Sequence, residues 1–157
     1  MLMRRLVVGS LTLAVVFQAG CSFACAAVLC GDALHVTVSN AAKAFDASPT
    51  PTVSVCVVGE TCTTFHLTKE NATMECKADS SLTQADVVNG VGCFFDGNGQ
   101  LSLTARGGEE DELEVTIEVR TPEGAVAFTA EQTVENVEGS TCGGTCHDAT
   151  VAFAIPG

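Results

Sequence analysis

Three residues near the end of the 157-residue chain have the types and spacing to act together: Cys142, Cys146 and His147, in Cys142-Gly-Gly-Thr-Cys146-His147. Two thiols and an imidazole could hold zinc, or attach haem while the histidine ligates its iron. The spacing is one residue longer than the common haem-attachment motif C-x-x-C-H. The alternative is a disulfide-closed loop, which an oxidising compartment favours. We expect that loop, without metal or haem, and a solvent-facing His147.

The sequence offers little else to a catalytic mechanism. It has no Gly-x-Ser-x-Gly nucleophile motif, and Gly107-Gly108 is followed by acids instead of the lysine of a phosphate-binding loop. The acidic run Glu109–Glu112 could bind calcium together with Asp96 and Asn98, but a solvated loop is the simpler interpretation. We therefore expect no enzymatic activity and no cofactor.

The charge and composition of the chain limit the classes of partner that it could bind and the compartment in which it could reside. The chain has 7 Lys and Arg against 19 Asp and Glu, a formal net charge of -12, which argues against nucleic-acid binding. It has no Trp and no Tyr, so the usual stacking platforms for bases or sugars are missing. Nine cysteines in a chain of this size indicate a disulfide-forming compartment outside the cytoplasm.

The N-terminus reads as an export signal. Arginines at positions 4 and 5 precede an apolar run over residues 6–17, the pattern of a secretory signal peptide. The following Ala19-Gly20-Cys21 resembles the lipobox of bacterial lipoproteins, although Gln18 stands where that family prefers an aliphatic residue. The resemblance implies cleavage before Cys21, lipidation of its thiol and anchoring to a membrane.

Two alternatives to lipidation stay open. Cleavage at Ala24-Cys25-Ala26 would release a soluble secreted protein, and the uncharged residues 6–30 could remain as a membrane anchor. The lipoprotein interpretation divides the chain into a signal peptide (1–20), a short tether (21–32) and one domain (33–157). It also leaves an even number of cysteines for pairing.

Eight cysteines are then candidates for disulfides, and their connectivity is open except for one pair. Cys56 and Cys62 flank the short loop Val58–Glu60, which would place them opposite each other on adjacent strands. The same pairing sets Val53 against Phe65. The eight candidates are Cys25, Cys30, Cys56, Cys62, Cys76, Cys93, Cys142 and Cys146.

Alternation of apolar and polar residues predicts an all-β domain. The alternating runs are Leu34–Val38, Val53–Val57, Thr63–Leu67, Leu113–Val119, Val126–Ala130 and Val151–Ile155. One apolar face per strand is typical of antiparallel sheets packed together, so we expect a disulfide-stapled β-sandwich, immunoglobulin-like or transthyretin-like.

Two turns predict the register of their hairpins. The loop Asp96–Gly99 would pair Phe95 with Gln100. The turn Thr121–Gly124 would pair Ile117 with Phe128.

These patterns favour a non-catalytic lipoprotein of the cell envelope with a binding, adhesion or structural role. It would be anchored to the membrane by its N-terminal lipid and would face an extracytoplasmic protein or ligand that the sequence does not identify. One alternative is a secreted inhibitor or ligand-binding module that uses the loop between Cys142 and Cys146. A small redox, haem or metal protein is a more distant alternative.

Overall fold

The structure is a computed structural model that describes residues 32–88, 90–141 and 144–157. The expected signal peptide and almost all of the tether, with Cys21, Cys25 and Cys30, lie outside the described residues, and so does Cys142. The described chain is built from strands, as the alternation predicts. No helix in this part is long and apolar enough to cross a membrane.

Nine strands and two short helices follow one another along the described residues. The helices are a 3₁₀ helix at Ala41–Asp46 and α1 at Gln84–Val88. The strands are β1 (Ala33–Ser39), β2 (Thr52–Val57), β3 (Thr63–Glu70), β4 (Thr73–Ala78), β5 (Gly92–Phe95), β6 (Leu101–Arg106), β7 (Glu112–Arg120), β8 (Val126–Thr141) and β9 (Gly144–Ala154).

The strands form one sheet in the order β4-β3-β2-β7-β8-β9-β1-β6-β5, which curls until it is nearly a closed barrel. The all-β class is therefore confirmed, whereas the sandwich, with its immunoglobulin-like or transthyretin-like arrangement, stays a prediction. The expectation of a purely antiparallel fold is wrong, because β1 and β9 run parallel, with Val36 beside Val151. These two strands come from opposite ends of the described chain, so no hairpin imposes an antiparallel direction on them.

The inner face of this sheet carries the core. Alternate residues of each central strand are buried, and the largest side chains with less than 2% exposure include Leu34, Phe65, Leu67, Leu101, Leu113 and Ile117. The runs that predicted the strands also predicted which face is inward, except at Val126, whose side chain is 49% exposed. Burying their apolar side chains is the main favourable free energy of folding for such a domain.

The hairpin between β5 and β6 is shifted by one residue from the prediction, since Phe95 pairs with Leu101 instead of Gln100. The carboxylate of Asp96 accepts backbone hydrogen bonds from Asn98 (2.9 Å) and Gln100 (2.8 Å). Gly99, at φ 77°, completes a three-residue loop in a left-handed conformation that glycine adopts at no steric cost. The shorter loop moves the pairing by one position.

The hairpin between β7 and β8 is shifted by two residues, so Ile117 faces Ala130, and Phe128 faces Val119. The turn closes between Thr121 and Ala125, where the Thr121 N–H donates to the Ala125 carbonyl over 2.9 Å. A further irregularity falls between Val119 and Arg120. An even shift keeps each side chain on its predicted face, which is why the face assignment survives the wrong register.

Two disulfides have both of their cysteines among the described residues of this sheet. Cys56 and Cys62 are bonded, with 4.2 Å between their Cα atoms, and Val53 pairs with Phe65, so this prediction is confirmed. The second disulfide joins Cys76 to Cys93. Because β4 and β5 are the two ends of the strand order, this bond links the first strand of the sheet to the last.

We expect the two disulfides to differ in their contribution to stability. Cys76 and Cys93 are 17 residues apart in sequence and Cys56 and Cys62 only 6. Chain entropy alone then gives about 3 kcal/mol for the first bond and about 2 kcal/mol for the second. Urea unfolding of the double variants Cys76→Ser/Cys93→Ser and Cys56→Ser/Cys62→Ser measures both free energies. A larger loss of unfolding free energy in Cys56→Ser/Cys62→Ser than in Cys76→Ser/Cys93→Ser would contradict this expected order.

Candidate functional site

Several polar residues meet at one end of the barrel. The pairing of β1 with β6 places the start of β1 beside the end of β6, with Ala33 opposite Arg106. The loop between β2 and β3 and the loop that follows β6 border the same end. Together they enclose a cleft of about 490 Å³, lined by Asp32, Val57, Val58, Gly59, Glu60, Asp86, Arg106, Gly107, Gly108, Glu109, Glu110 and Leu113.

Asp86 reaches this cleft from the short helix α1, and its position follows from a capping motif. The Thr83 hydroxyl accepts a hydrogen bond from the Asp86 N–H over 3.3 Å, while the Asp86 carboxylate accepts from the Thr83 N–H over 2.6 Å. The Thr83 hydroxyl also donates to that carboxylate over 2.7 Å. This reciprocal arrangement satisfies donors at the start of the helix and fixes the direction of the carboxylate.

The carboxylate of Asp86 and the guanidinium of Arg106 form a two-point ion pair. Nε and one terminal nitrogen of Arg106 lie 2.5 and 2.6 Å from the two carboxylate oxygens, and Asp86 is only 4% exposed. The hydrogen bonds from Arg106 hold the pKa of Asp86 well below its usual range, and those from Thr83 act in the same direction. Asp86 in turn raises the pKa of Arg106. The pair therefore stays ionised at neutral pH.

Arg106 also connects distant parts of the sheet. Its backbone N–H donates to the hydroxyl of the buried Thr63, on β3, over 3.2 Å. Its side chain holds α1, which lies in the connection between β4 and β5. The ion pair thus acts as a clamp that ties this connection to β6.

His147 is not the free, solvent-facing side chain that the sequence predicts. Its Nδ1 lies 2.9 Å from an Asp32 oxygen, the same oxygen accepts the His147 backbone N–H over 3.0 Å, and the imidazole is only 16% exposed. The parallel pairing of β1 with β9 sets Ala33 beside Asp148. The preceding residues of the two segments, Asp32 and His147, are therefore brought next to each other. Cys146 is in a disulfide, so its sulfur is not a thiol beside this imidazole.

The acids that were considered as calcium ligands, with a solvated loop as the expected alternative, do not come together. The Glu109–Glu112 run follows the end of β6, whereas Asp96 and Asn98 precede its start, so the whole strand separates them. The acidic loop is instead held through its backbone, because the Asn136 amide donates to the carbonyls of Gly108 (2.7 Å) and Glu110 (2.8 Å). In the described part of the chain, no three His, Cys, Asp or Glu side chains are grouped to hold a metal.

The lining of the cleft is rich in acidic side chains, which can attract cations. Its carboxylates come from Asp32, Glu60, Glu109 and Glu110, and the charge of its one arginine is balanced by Asp86. Sequence reasoning missed Asp32, Asp86 and Arg106. Thr83-x-x-Asp86 is a capping signal that points to a helix start at Thr83, with Asp86 in the first turn, but nothing in the sequence indicates Arg106 as the partner of Asp86. The remaining two histidines, His35 and His66, are exposed.

Asp86→Asn should destabilise the protein by about 3 kcal/mol at pH 7, since it leaves the Arg106 charge without its partner. The pKa of Asp86 is lower in the folded than in the unfolded state, so its contribution is present at neutral pH. The difference between wild type and variant should shrink as the pH falls below about 4, where an unfolded aspartate begins to protonate.

Urea unfolding from pH 7 to pH 2 measures this difference. Asp46→Asn is the matched control, because the Asp46 carboxylate is 70% exposed in a pair with Lys43 and should contribute less than about 1 kcal/mol. A difference between wild type and Asp86→Asn that stays constant from pH 7 to pH 2 would contradict the ionised clamp.

The chain was compared with protein-family models, with curated proteins and with solved structures, and none of them matches it.

Proposed function

We propose that the protein is an exported, membrane-anchored lipoprotein of the cell envelope whose domain binds another extracytoplasmic molecule without catalysing a reaction. The export signal and the lipobox-like Ala19-Gly20-Cys21 support the anchoring. The cleft, with its internally paired polar groups, supports a role in binding over one in catalysis.

The observation that carries the location is the state of the cysteines. All five described cysteines, Cys56, Cys62, Cys76, Cys93 and Cys146, are in disulfides. Such bonds form and persist in oxidising compartments and are rare where glutathione keeps thiols reduced. A chain with this many bonded cysteines fits the periplasm, the cell surface or the medium.

The pairing of the polar groups favours a non-catalytic role. The Asp86 carboxylate is hydrogen-bonded to Arg106 and Thr83, and the His147 imidazole is hydrogen-bonded to Asp32. Catalysis needs a base or nucleophile directed at a substrate, in reach of groups that stabilise the developing charge. Among the groups that line the described part of the cleft, Asp32, Asp86 and Arg106 are engaged in such structural pairs instead.

The sandwich is also part of this proposal. Among the described residues, the ladder with β7 includes Val126 and Phe128–Glu135 of β8, and the ladder with β9 includes Asn136–Thr141, so β8 passes from one half of the sheet to the other. A strand that changes partners in this way is a common corner between two packed layers. We propose the two halves as the layers of an immunoglobulin-like or related sandwich.

Cell fractionation of the full chain tests the anchoring. Wild type should appear in the membrane fraction, with a mass that corresponds to cleavage before Cys21 and addition of lipid. Cys21→Ala should lose the lipid and either leave the membrane or accumulate uncleaved, because no thiol can receive the diacylglycerol. Ser22→Ala, the adjacent position, should behave as wild type. A soluble wild-type protein that begins at Ala27 would refute the lipoprotein and favour the secreted form.

A further inference from the structure

The sheet has an opening between β8 and β9. The ladder between these strands spans only Asn136–Thr141 on β8, and the part of β9 beyond Ala149 pairs with β1 alone. Residues 126–135 of β8 pair with β7 on one side only. No backbone ladder of the described residues reaches the other side, which leaves the first half of β8 as an edge strand.

The backbone groups on this edge can be assigned by strand alternation. The Asn136 N–H points toward β7, because it donates to the Asp111 carbonyl over 2.8 Å. In an antiparallel ladder, successive residues direct their N–H and C=O groups to opposite sides. The odd-numbered residues Thr129–Glu135 therefore direct these groups into the opening. On the other side of the opening, the Ala152 carbonyl of β9 also points into it, since it accepts a hydrogen bond from the Gln132 side chain over 2.8 Å.

The two faces of this edge differ in chemistry. The residues with backbone groups in the opening have outward, exposed side chains, namely Thr129, Glu131, Thr133 and Glu135. The even-numbered residues of this edge have their side chains on the other face, where Phe128, Ala130 and Val134 are partly buried against the core and Gln132 is exposed. At the far end, a cavity of about 220 Å³ lies between Phe128 and Ile155.

We propose that the edge Thr129–Glu135 of β8 binds an extended segment of a partner protein in which basic and apolar residues alternate. The inference rests on the binding role proposed above and names the class of partner. The free backbone groups would form a new ladder, which is the general basis of strand addition. The side chain of Gln132 would swing away from Ala152 to admit the strand.

Charge complementarity selects this partner over a second copy. Residues of an added strand that share the ladder carry their side chains on the outward face, beside Glu131 and Glu135, where Lys or Arg forms cross-strand pairs. The residues between them point inward and cover Phe128, Ala130 and Val134. A second copy would bring its own Glu131 and Glu135 to the same edge, and the chain has 19 acidic against 7 basic residues.

A synthetic octapeptide of alternating lysine and valine is a suitable probe, with the corresponding glutamate–valine peptide as its control. The protein is purified in detergent from cells that express the full chain, and calorimetry measures binding. We expect the lysine peptide to bind with an affinity that falls as salt is raised, and the glutamate peptide not to bind. Amide exchange should slow at Thr129, Glu131, Thr133 and Glu135 when the lysine peptide is present.

Two variants test the mode of binding. Thr133→Pro removes an N–H from the opening but none from the β7 ladder, so it should fold and abolish peptide binding. Glu131→Gln/Glu135→Gln keeps the backbone and should weaken binding about tenfold. Glu75→Gln, an exposed position on β4 at the end of the sheet, is the control and should bind as wild type. If Thr133→Pro does not fold, the double glutamine variant decides the matter.

Several outcomes would overturn the proposal. These are no binding of the lysine peptide, binding that a folded Thr133→Pro or the double glutamine variant does not alter, unchanged amide exchange along β8, and self-association of the protein through this edge. Membrane fractionation with an intact lipid would still support the envelope lipoprotein in each of these cases. A failure of the strand-addition proposal is thereby separated from a failure of the proposed function.

Discussion

The two ends of the sheet are held together by the Cys76–Cys93 disulfide, and much of the architecture depends on that link. β4 and β5 each pair with only one neighbour in the described chain, so without the link both would be open edges. Open edges are a liability because their unpaired backbone groups recruit other chains. The disulfide holds each of the two edges beside the other and leaves the sheet nearly closed.

The ion pair between Asp86 and Arg106 supports the same closure by a different type of interaction. The connection from β4 to β5 passes from one end of the sheet to the other and contains α1. Asp86 fastens this connection to β6 through a buried carboxylate, and the Arg106 N–H reaches Thr63 on β3. A covalent bond and a buried ion pair thus fix the connection at two points. The opening between β8 and β9 is bridged, among the described residues, only by the side chain of Gln132, which makes it the easier place for a partner to enter.

Features that depend on residues close together in sequence could be predicted, whereas features that join distant segments could not. The strand faces follow from alternation alone, and the Cys56–Cys62 bond follows from a short loop, because both depend on neighbours in sequence. The registers of the two hairpins were wrong because a left-handed glycine, Gly99 or Gly124, changes how many residues a loop needs. Alternation cannot detect such a change.

Contacts between segments that lie far apart in sequence could not be predicted, because no local pattern indicates which segments will meet. The parallel pairing of β1 with β9 and the Cys76–Cys93 bond join segments that no turn connects. His147 was predicted to be exposed, since nothing near it in sequence reveals that Asp32 will lie beside its ring. The candidate site shows the same limit: Thr83-x-x-Asp86 indicates a helix start, but the partner of the carboxylate is 20 residues away.

Residue-resolved amide hydrogen exchange, measured by NMR on the oxidised protein, tests whether the sheet, which the Cys76–Cys93 disulfide closes between β4 and β5, is open between β8 and β9. We expect the exchange rate to alternate along Thr129–Glu135: fast exchange at the odd-numbered residues, whose N–H groups enter the opening, and slow exchange at the even-numbered residues bonded to β7. Uniformly slow exchange along this segment would contradict the account, because it would mean that β8 already has a partner on both sides.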